Sequence, residues 1–545
     1  MPQRPVTDRP SLDRVPLDRI PLDGRPRRVP ESPPAGPAGS AGVAGAAADR
    51  LQYNQRLSAL IEEAGFSHAG LARRVDQLGS EHGLDLRYDK TSVTRWLRGQ
   101  QPRGATPALI AEVFTRRLGR RLTAQDLGLD ACAPVYAGLE FAESPAEAVD
   151  IVASMWRKDT GAHSELRRIA FTPAGLVVPS RDWLIGRTDD RVARETPQDL
   201  GRTGIPAQNR RDGAGAAGSA GAGPGTTPGG GTASEQAAAL RGVPRVSRGD
   251  VAAMRAVGDL FRALDNAYGG GHARQALIRY LESEAEPMLR GRYNEAIGRA
   301  LFGAVADLTR LAGWTSYDIG AHGLAQRYFV QSLRLAQAAN DRLYGGYVLV
   351  TMSRQAVYLG HGREAVQLAR VAQQGVGSTA PIAAQALMHA AEARGHGLLG
   401  DARSCTAALV RAERALQASH GGDELPSWAR FFDEAQLADE FAHCYRDLQQ
   451  WRPAAQHAER SLRLRPQTYA RSRVFCRVVL ATSRLGLGEL DEACAAATEA
   501  LRGVTEMRSL RAVEYLRDFA RRLAPYRGNP SVRAFEEAAR TAGVI

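Results

Sequence analysis

No stretch of the 545-residue chain approaches the roughly 18 consecutive apolar residues that a membrane-crossing helix needs, so no membrane partner is expected. The opening residues, MPQRPVTDRPSLDRVPLDRIPLDG, lack the apolar core of a secretory leader. Cysteine is scarce as well. Cys132, Cys405, Cys444, Cys476 and Cys494 are odd in number and never form a CxxC pair, which argues against a disulfide framework and against a zinc site. Reduced thiols in a cytoplasmic protein are the plain expectation. The histidines form no HExxH or HxxxH pair, and no GxSxG turn is present. GGGH at 269–272 stands before a helix but outside any GxxxxGK[ST] frame, so it reads as a flexible helix entry rather than a phosphate cradle. Neither an enzyme, a cofactor nor a metal site is expected.

With 44% apolar and 6% aromatic residues, the composition is not that of one uniform globule. Glycine, at 56 residues, exceeds its usual share of about 7% and points to Gly-rich segments between folded domains. Lys and Arg number 71 against 59 Asp and Glu. This surplus of 12 favours a polyanionic partner without naming one.

Residues 1–50 repeat LDRVP-LDRIP-LDGRP and then run into Ala, Gly and Pro, which predicts a disordered tail. Short amphipathic helices follow over 51–130. Leu57, Leu60 and Ile61 share a face before Gly65, and Ser67 can cap a helix that carries Leu71, Ala72, Val75 and Leu78 inward. After the polar stretch GSEHGLDLRY, a third helix runs from Asp89 to Gly99. A fourth starts at Thr106–Pro107, and a fifth element is expected at TAQDLG. Residues 131–199 read as a connecting region without a legible role, with a helix at SPAEAVDIVASMWRKD and a short strand within RRIAFTPAGLVVPSRDWLIGR. Residues 200–247 read as a disordered Gly/Ala-rich linker. About 45 such residues span roughly 35–40 Å, so a cut there should free two separately folded pieces.

From 248 to 545 the pattern is helical and repetitive. GAHGLAQRYFVQSL, GHGREAVQLARVAQ, GDARSCTAALVRAE, QQWRPAAQHAERSL and GELDEACAAATEAL each place a turn before a small residue: Ala325, Ala365, Cys405, Ala454 and Ala493. A helix precedes each turn, so each unit is a helical hairpin whose small residue lets two helices approach closely. Stacking buries what one hairpin cannot.

The third helix, DKTSVTRWLRG, carries the strongest functional signal. At 100° per residue, Val93, Trp96 and Leu97 face inward. Thr91, Arg95 and Arg98 face outward, with Ser92 and Thr94 on the flanks and Lys90 at the start. Such a surface has the donors that read base edges and hold phosphates. From Arg87 to Arg121 there are nine Lys/Arg against two acids, Asp89 and Glu112.

These residues resemble the Cro/XRE-type helix-turn-helix, with SHAGLARRV as its second helix, Ala72 at the close crossing and KTSVTRWLRG as its recognition helix. The resemblance implies base contacts for Lys90, Thr91 and Arg95, with Ser92 and Thr94 close by, and phosphate contacts for Arg98 and Arg103. The chain departs from that pattern in two ways. Leu97 stands at the usual acidic position, and the turn between the two helices carries about 11 extra residues. The repeats resemble the tetratricopeptide type, with Gly313 and Ala325 at its Gly and Ala positions, although their period is longer and Ser353 replaces the Gly in the next unit. Together these features resemble actinobacterial regulators of the negative-regulator-of-differentiation type, which influence sporulation and antibiotic production. The implied architecture is all-α: a small helix-turn-helix domain and a C-terminal α-solenoid. The implied partners are double-stranded DNA and an unidentified peptide or protein in the repeat groove, and the type admits a homodimer. Two other classes stay open at this level: a repeat scaffold without sequence-specific DNA binding, and an enzyme concealed in the repeat groove.

Overall fold

α1 (Gln55–Glu63) begins at Asn54, whose side chain accepts a hydrogen bond from the Leu57 amide at 3.0 Å. The same side chain donates to the Leu127 carbonyl at 2.9 Å, and the Asn54 amide donates to Leu97 at 2.7 Å. One cap therefore joins the start of a small bundle to two of its later parts. α2 (His68–Glu81), α3 (Lys90–Leu97) and α4 (Thr106–Leu118) complete the bundle around Leu57, Leu71, Val75, Val93, Leu109 and Phe114, all fully buried. Burial of each such side chain contributes about 1.5–3 kcal/mol. TAQDLG is not a fifth helix. It closes as hydrogen-bonded turns, with Thr123 and Asp126 bonding each other reciprocally and Gly128 at φ +67°.

The computed structural model describes residues 53–81, 86–102, 106–120, 122–130, 138–161, 169–187, 189–195, 243–377, 380–418 and 426–545. The tail expected over 1–50 and the linker expected over 200–247, apart from its last residues 243–247, lie outside them, as does Arg103.

The described residues are all-helical in their regular structure. α5 (Pro145–Thr160), α6 (Val177–Ile185), α7 (Arg248–Tyr268) and α8 (Gly270–Tyr280) come before five successive hairpins and a final pair of helices. These are α9 (Glu295–Asp318) with α10 (His322–Ala338), α11 (Arg342–Tyr358) with α12 (Gly362–Val376), and α13 (Ile382–Leu399) with α14 (Ala402–Ala418). α15 (Glu434–Asp447) with α16 (Trp451–Leu464), α17 (Ala470–Leu487) with α18 (Leu490–Thr505), and α19 (Leu510–Arg522) with α20 (Pro530–Thr541) complete the set. None of these helices is long and apolar enough to cross a membrane. Ala325, Ala365, Cys405, Ala454 and Ala493 are fully buried where the two helices of a hairpin meet. At Gly313 a Cβ would lie 2.6 Å from the Phe329 ring, so only glycine fits that crossing. Hydroxyls bridge the same contacts: Ser353 donates to the Ala365 carbonyl at 2.8 Å, and Ser461 donates to that of Ala435 at 2.8 Å.

One expectation about the middle of the chain is overturned: VVPSRDWLI is helix, not strand. Its exposed Val177 and Val178 have no strand to pair with, and the only β contacts among the described residues are isolated bridges. What fixes this segment is Trp183, fully buried against α11 and α12 at Gly345 and Gly375. A Cβ at those glycines would lie 2.3 and 2.2 Å from the indole.

Residues 138–161, 169–187 and 189–195 belong to the same packed body as the hairpins. They pack into the hairpin array along α10 and α12. Gln331 donates to the Gly138 and Glu140 carbonyls at 3.0 and 2.8 Å, Arg334 to that of Ala142 at 2.6 Å, and Gln337 to that of Arg187 at 2.7 Å. Gln326 exchanges two hydrogen bonds with the Thr172 backbone, at 2.7 and 3.0 Å. Arg334 also grips Asp189 with two bonds of 2.8 and 2.9 Å. Polar side chains thus satisfy a buried irregular backbone that would otherwise carry orphaned carbonyls. From α5, Asp159 accepts from Tyr328 at 2.7 Å and from Arg274.

The array also curves until its ends meet. The Arg508 amide, just before α19, donates to the Tyr268 carbonyl at 2.9 Å, and the Gly271 amide donates back to the Arg508 carbonyl at 2.9 Å. GGGH is therefore a docking point within the fold. The Gly270 amide is likewise taken, donating to Asp318 at 2.9 Å.

Candidate nucleic-acid interface

α3 is built by its own first turn. Asp89, in extended backbone, accepts from the Ser92 amide at 2.8 Å and from the Ser92 hydroxyl at 2.9 Å, and the Asp89 amide faces the same hydroxyl at 3.5 Å. This capping box satisfies donors that a helix start leaves open. Hydrogen bonds from the Ser92 backbone and side chain hold the Asp89 carboxyl below its usual range, so the anion stays at the positive end of the helix.

The inner side of α3 consists of Val93, Trp96 and Leu97, all buried. Tyr88 meets Trp96 edge-on at 5.1 Å, and its hydroxyl lies 2.9 Å from that of Thr106. The long connection from α2 is stapled back: Asp76 accepts from the Tyr88 amide at 2.9 and 3.0 Å, and Leu86 lies against Gly79. The extra residues between α2 and α3 therefore extend α2 to Glu81, and α2 and α3 still pack on each other.

Lys90, Thr91, Arg95 and Arg98 are exposed on the outer side. Thr94 is half-buried and donates back to the Lys90 carbonyl at 2.9 Å, which leaves only its edge at the surface. Ser92 is a correction to the sequence reading. It is buried and its hydroxyl belongs to the cap, so it does not share the outer face. The signal for this was the Asp89–Ser92 spacing, which fits a capping box better than a contact surface. Arg95 reaches across to the Ser92 hydroxyl at 3.2 Å. Among the described residues, Lys90, Arg95 and Arg98 form no ion pair. The basic residues of α4 and its end differ: Arg116 pairs with Glu112 at 3.0 Å and Arg120 with Glu63 at 2.6 Å. One side of the bundle therefore offers uncompensated cations next to a threonine hydroxyl, with the nearby Asp89 engaged in its cap.

Neither curated proteins nor solved structures gave a match to this chain. Residues 57–130 match the family model described as the SP15 N-terminal domain, and they span α1 to α4 with the turns that close the bundle.

Proposed function

We propose that the chain is a DNA-binding transcription regulator in which α2 and α3 act as a helix-turn-helix and α3 enters the major groove. The hairpin array, tetratricopeptide-like in this reading, serves as its partner- or effector-binding module. In this reading, which follows the resemblance noted above, the protein is cytoplasmic and its targets belong to sporulation, differentiation or antibiotic production. The observation that carries the reading is the outer face of α3, where Lys90, Arg95 and Arg98 stand exposed without a carboxylate partner among the described residues. Arg95 suits a bidentate contact to guanine, Lys90 and Thr91 suit neighbouring base edges, and Arg98 suits a phosphate. Thr94 lies close to the same edges.

The test is selection of bound genomic fragments by the full chain, followed by titration of a selected duplex and a random duplex across a salt series. A selected sequence bound at least about a thousandfold more tightly than random DNA is the outcome that regulation requires. Equal affinity for both at every salt concentration would leave the repeat scaffold as the better reading.

A further inference from the structure

The seam where the array closes differs from the hairpin interiors. Inside the hairpins the helices meet at small residues such as Ala365, Cys405 and Ala454. At the seam the contacts are charges and rings. Arg511 of α19 points into a box of aromatic faces, 4.0 Å from the centroid of Tyr317, 4.7 Å from Phe475, 5.3 Å from Tyr358 and 5.6 Å from Trp314. Its one carboxylate, Asp318, is 3.5 Å away, and its Nε has no hydrogen-bond partner. Arg471 pairs with Asp265 and lies 3.7 Å from Asp318. Tyr358 donates to Glu514 and stacks over Tyr515.

A buried guanidinium with an unfilled Nε is costly to keep, and a seam of charges and aromatic rings resembles an exchangeable interface more than a core. The box itself is selective. Ring faces and a carboxylate favour a flat, weakly hydrated cation over an ammonium ion. With Arg511 withdrawn, Asp318 loses one of the two guanidinium groups beside it and keeps only the more distant Arg471 at 3.7 Å, so the box becomes more negative.

We propose that this seam is a guanidinium-binding box occupied in cis by Arg511, and that an arginine-bearing peptide of a partner protein takes the box when α19 lifts away from Tyr268 and Gly271. The proposal rests on the reading of the array as a partner-binding module and gives that partner a chemistry. None of its readouts involves DNA, so its failure and that of base readout are separable.

The experiment uses the full chain in three forms: unaltered, Gly271→Ala and Arg511→Ala. A Cβ at Gly271 would stand 2.9 Å from the Arg508 carbonyl, so that variant loosens the latch and leaves the box intact. The probes are methylguanidinium, methylammonium, a synthetic peptide copying residues 506–518, and the same peptide with Arg511→Ala. Methylguanidinium should restore the melting temperature lost in Arg511→Ala saturably, whereas methylammonium at equal ionic strength should not. The arginine peptide should bind Gly271→Ala about tenfold or more tightly than its alanine counterpart. It should also speed amide exchange at Gly271 and Arg508 of the unaltered chain. Equal binding of the two peptides would overturn the proposal. So would a stable dimer of Gly271→Ala without peptide affinity, because that would mean α19 exchanges between copies. If Arg511→Ala does not fold, the peptide comparison on the other two forms decides.

Discussion

Arg194 and Arg245, which flank the 196–242 stretch, are both held by the two-residue segment Arg292–Tyr293. Arg194 exchanges backbone hydrogen bonds with Tyr293 at 2.9 and 3.1 Å, and the chain at Arg245 bridges to Arg292 next to it. The described chain on either side of 196–242 is therefore fastened to one segment of the helical array.

Cutting the chain within 196–242 should yield two fragments that elute together on size exclusion under native conditions. Arg334→Ala would remove the paired bonds to Asp189 and strand a largely buried carboxylate, costing about 3–5 kcal/mol, and should let the fragments part at lower denaturant. Free fragments from the unaltered chain without denaturant would contradict the shared packing of 138–195.

Substitutions on α3 should separate by role. Arg95→Ala should cost about 1–3 kcal/mol on a selected duplex and relax preference at one base position. Arg98→Ala should weaken all duplexes alike and reduce the slope of log affinity against log salt by about one. Competition titrations against single-base variants of the site measure both effects. Identical signatures for the two would remove the distinction between reading and anchoring.

Trp183→Ala should cost about 3–5 kcal/mol, because the space between Gly345 and Gly375 cannot be refilled by their own side chains. The urea midpoint should fall, and protease sensitivity should rise first near 169–187. A loss below about 1 kcal/mol would mean that the segment is held by its polar bonds alone.

Acid should weaken the array through His322. Burial, reinforced by Arg511, lowers its pKa from 6.5 to about 4, and Tyr317 and Tyr358 stand beside it. Between those values the unfolded chain takes up the proton more readily than the folded one. Stability is therefore complete above pH 6.5 and falls as pH drops toward 4, by roughly 3 kcal/mol from this group. Burial, reinforced by Arg394, Arg446 and Arg354, shifts His443 in the same direction and adds to the loss. Denaturant midpoints from pH 7 to 5 should flatten in His322→Phe; an unchanged slope would exclude the group as a source.

Helical period and caps made much of this legible in the sequence. The repeat of Val93, Trp96 and Leu97 marks the inner face of α3, and Ser144 and Asp89 announce helix starts. The hairpin turns recur with a small residue at a fixed distance, and the structure buries those residues fully. What the sequence concealed depends on partners far away in the chain. Gly345 and Gly375 look like poor helix residues until Trp183 is placed between them. Gln331, Arg334 and Gln337 look like a solvated helix face, yet their bonds reach back to carbonyls near 140 and 187. Composition describes a Gly-rich stretch well, but it says nothing about where the two ends are fastened. The inward turn of Ser92 was lost for a simpler reason: a wheel drawn at 100° per residue ignores the first-turn bonds that rotate a side chain toward its cap.

The closure at Arg508, Tyr268 and Gly271 bears on how this protein could have varied over time. An open stack of hairpins can gain or lose a unit at either end and still keep every neighbour satisfied. Here the final pair of helices has to land on the turn between α7 and α8. One hairpin more or fewer would carry Arg508 past its two backbone bonds and Arg511 past its ring faces. The number of units is set by the arc, so duplication of a single hairpin, ordinarily the easiest change in such proteins, should be among the least tolerated here.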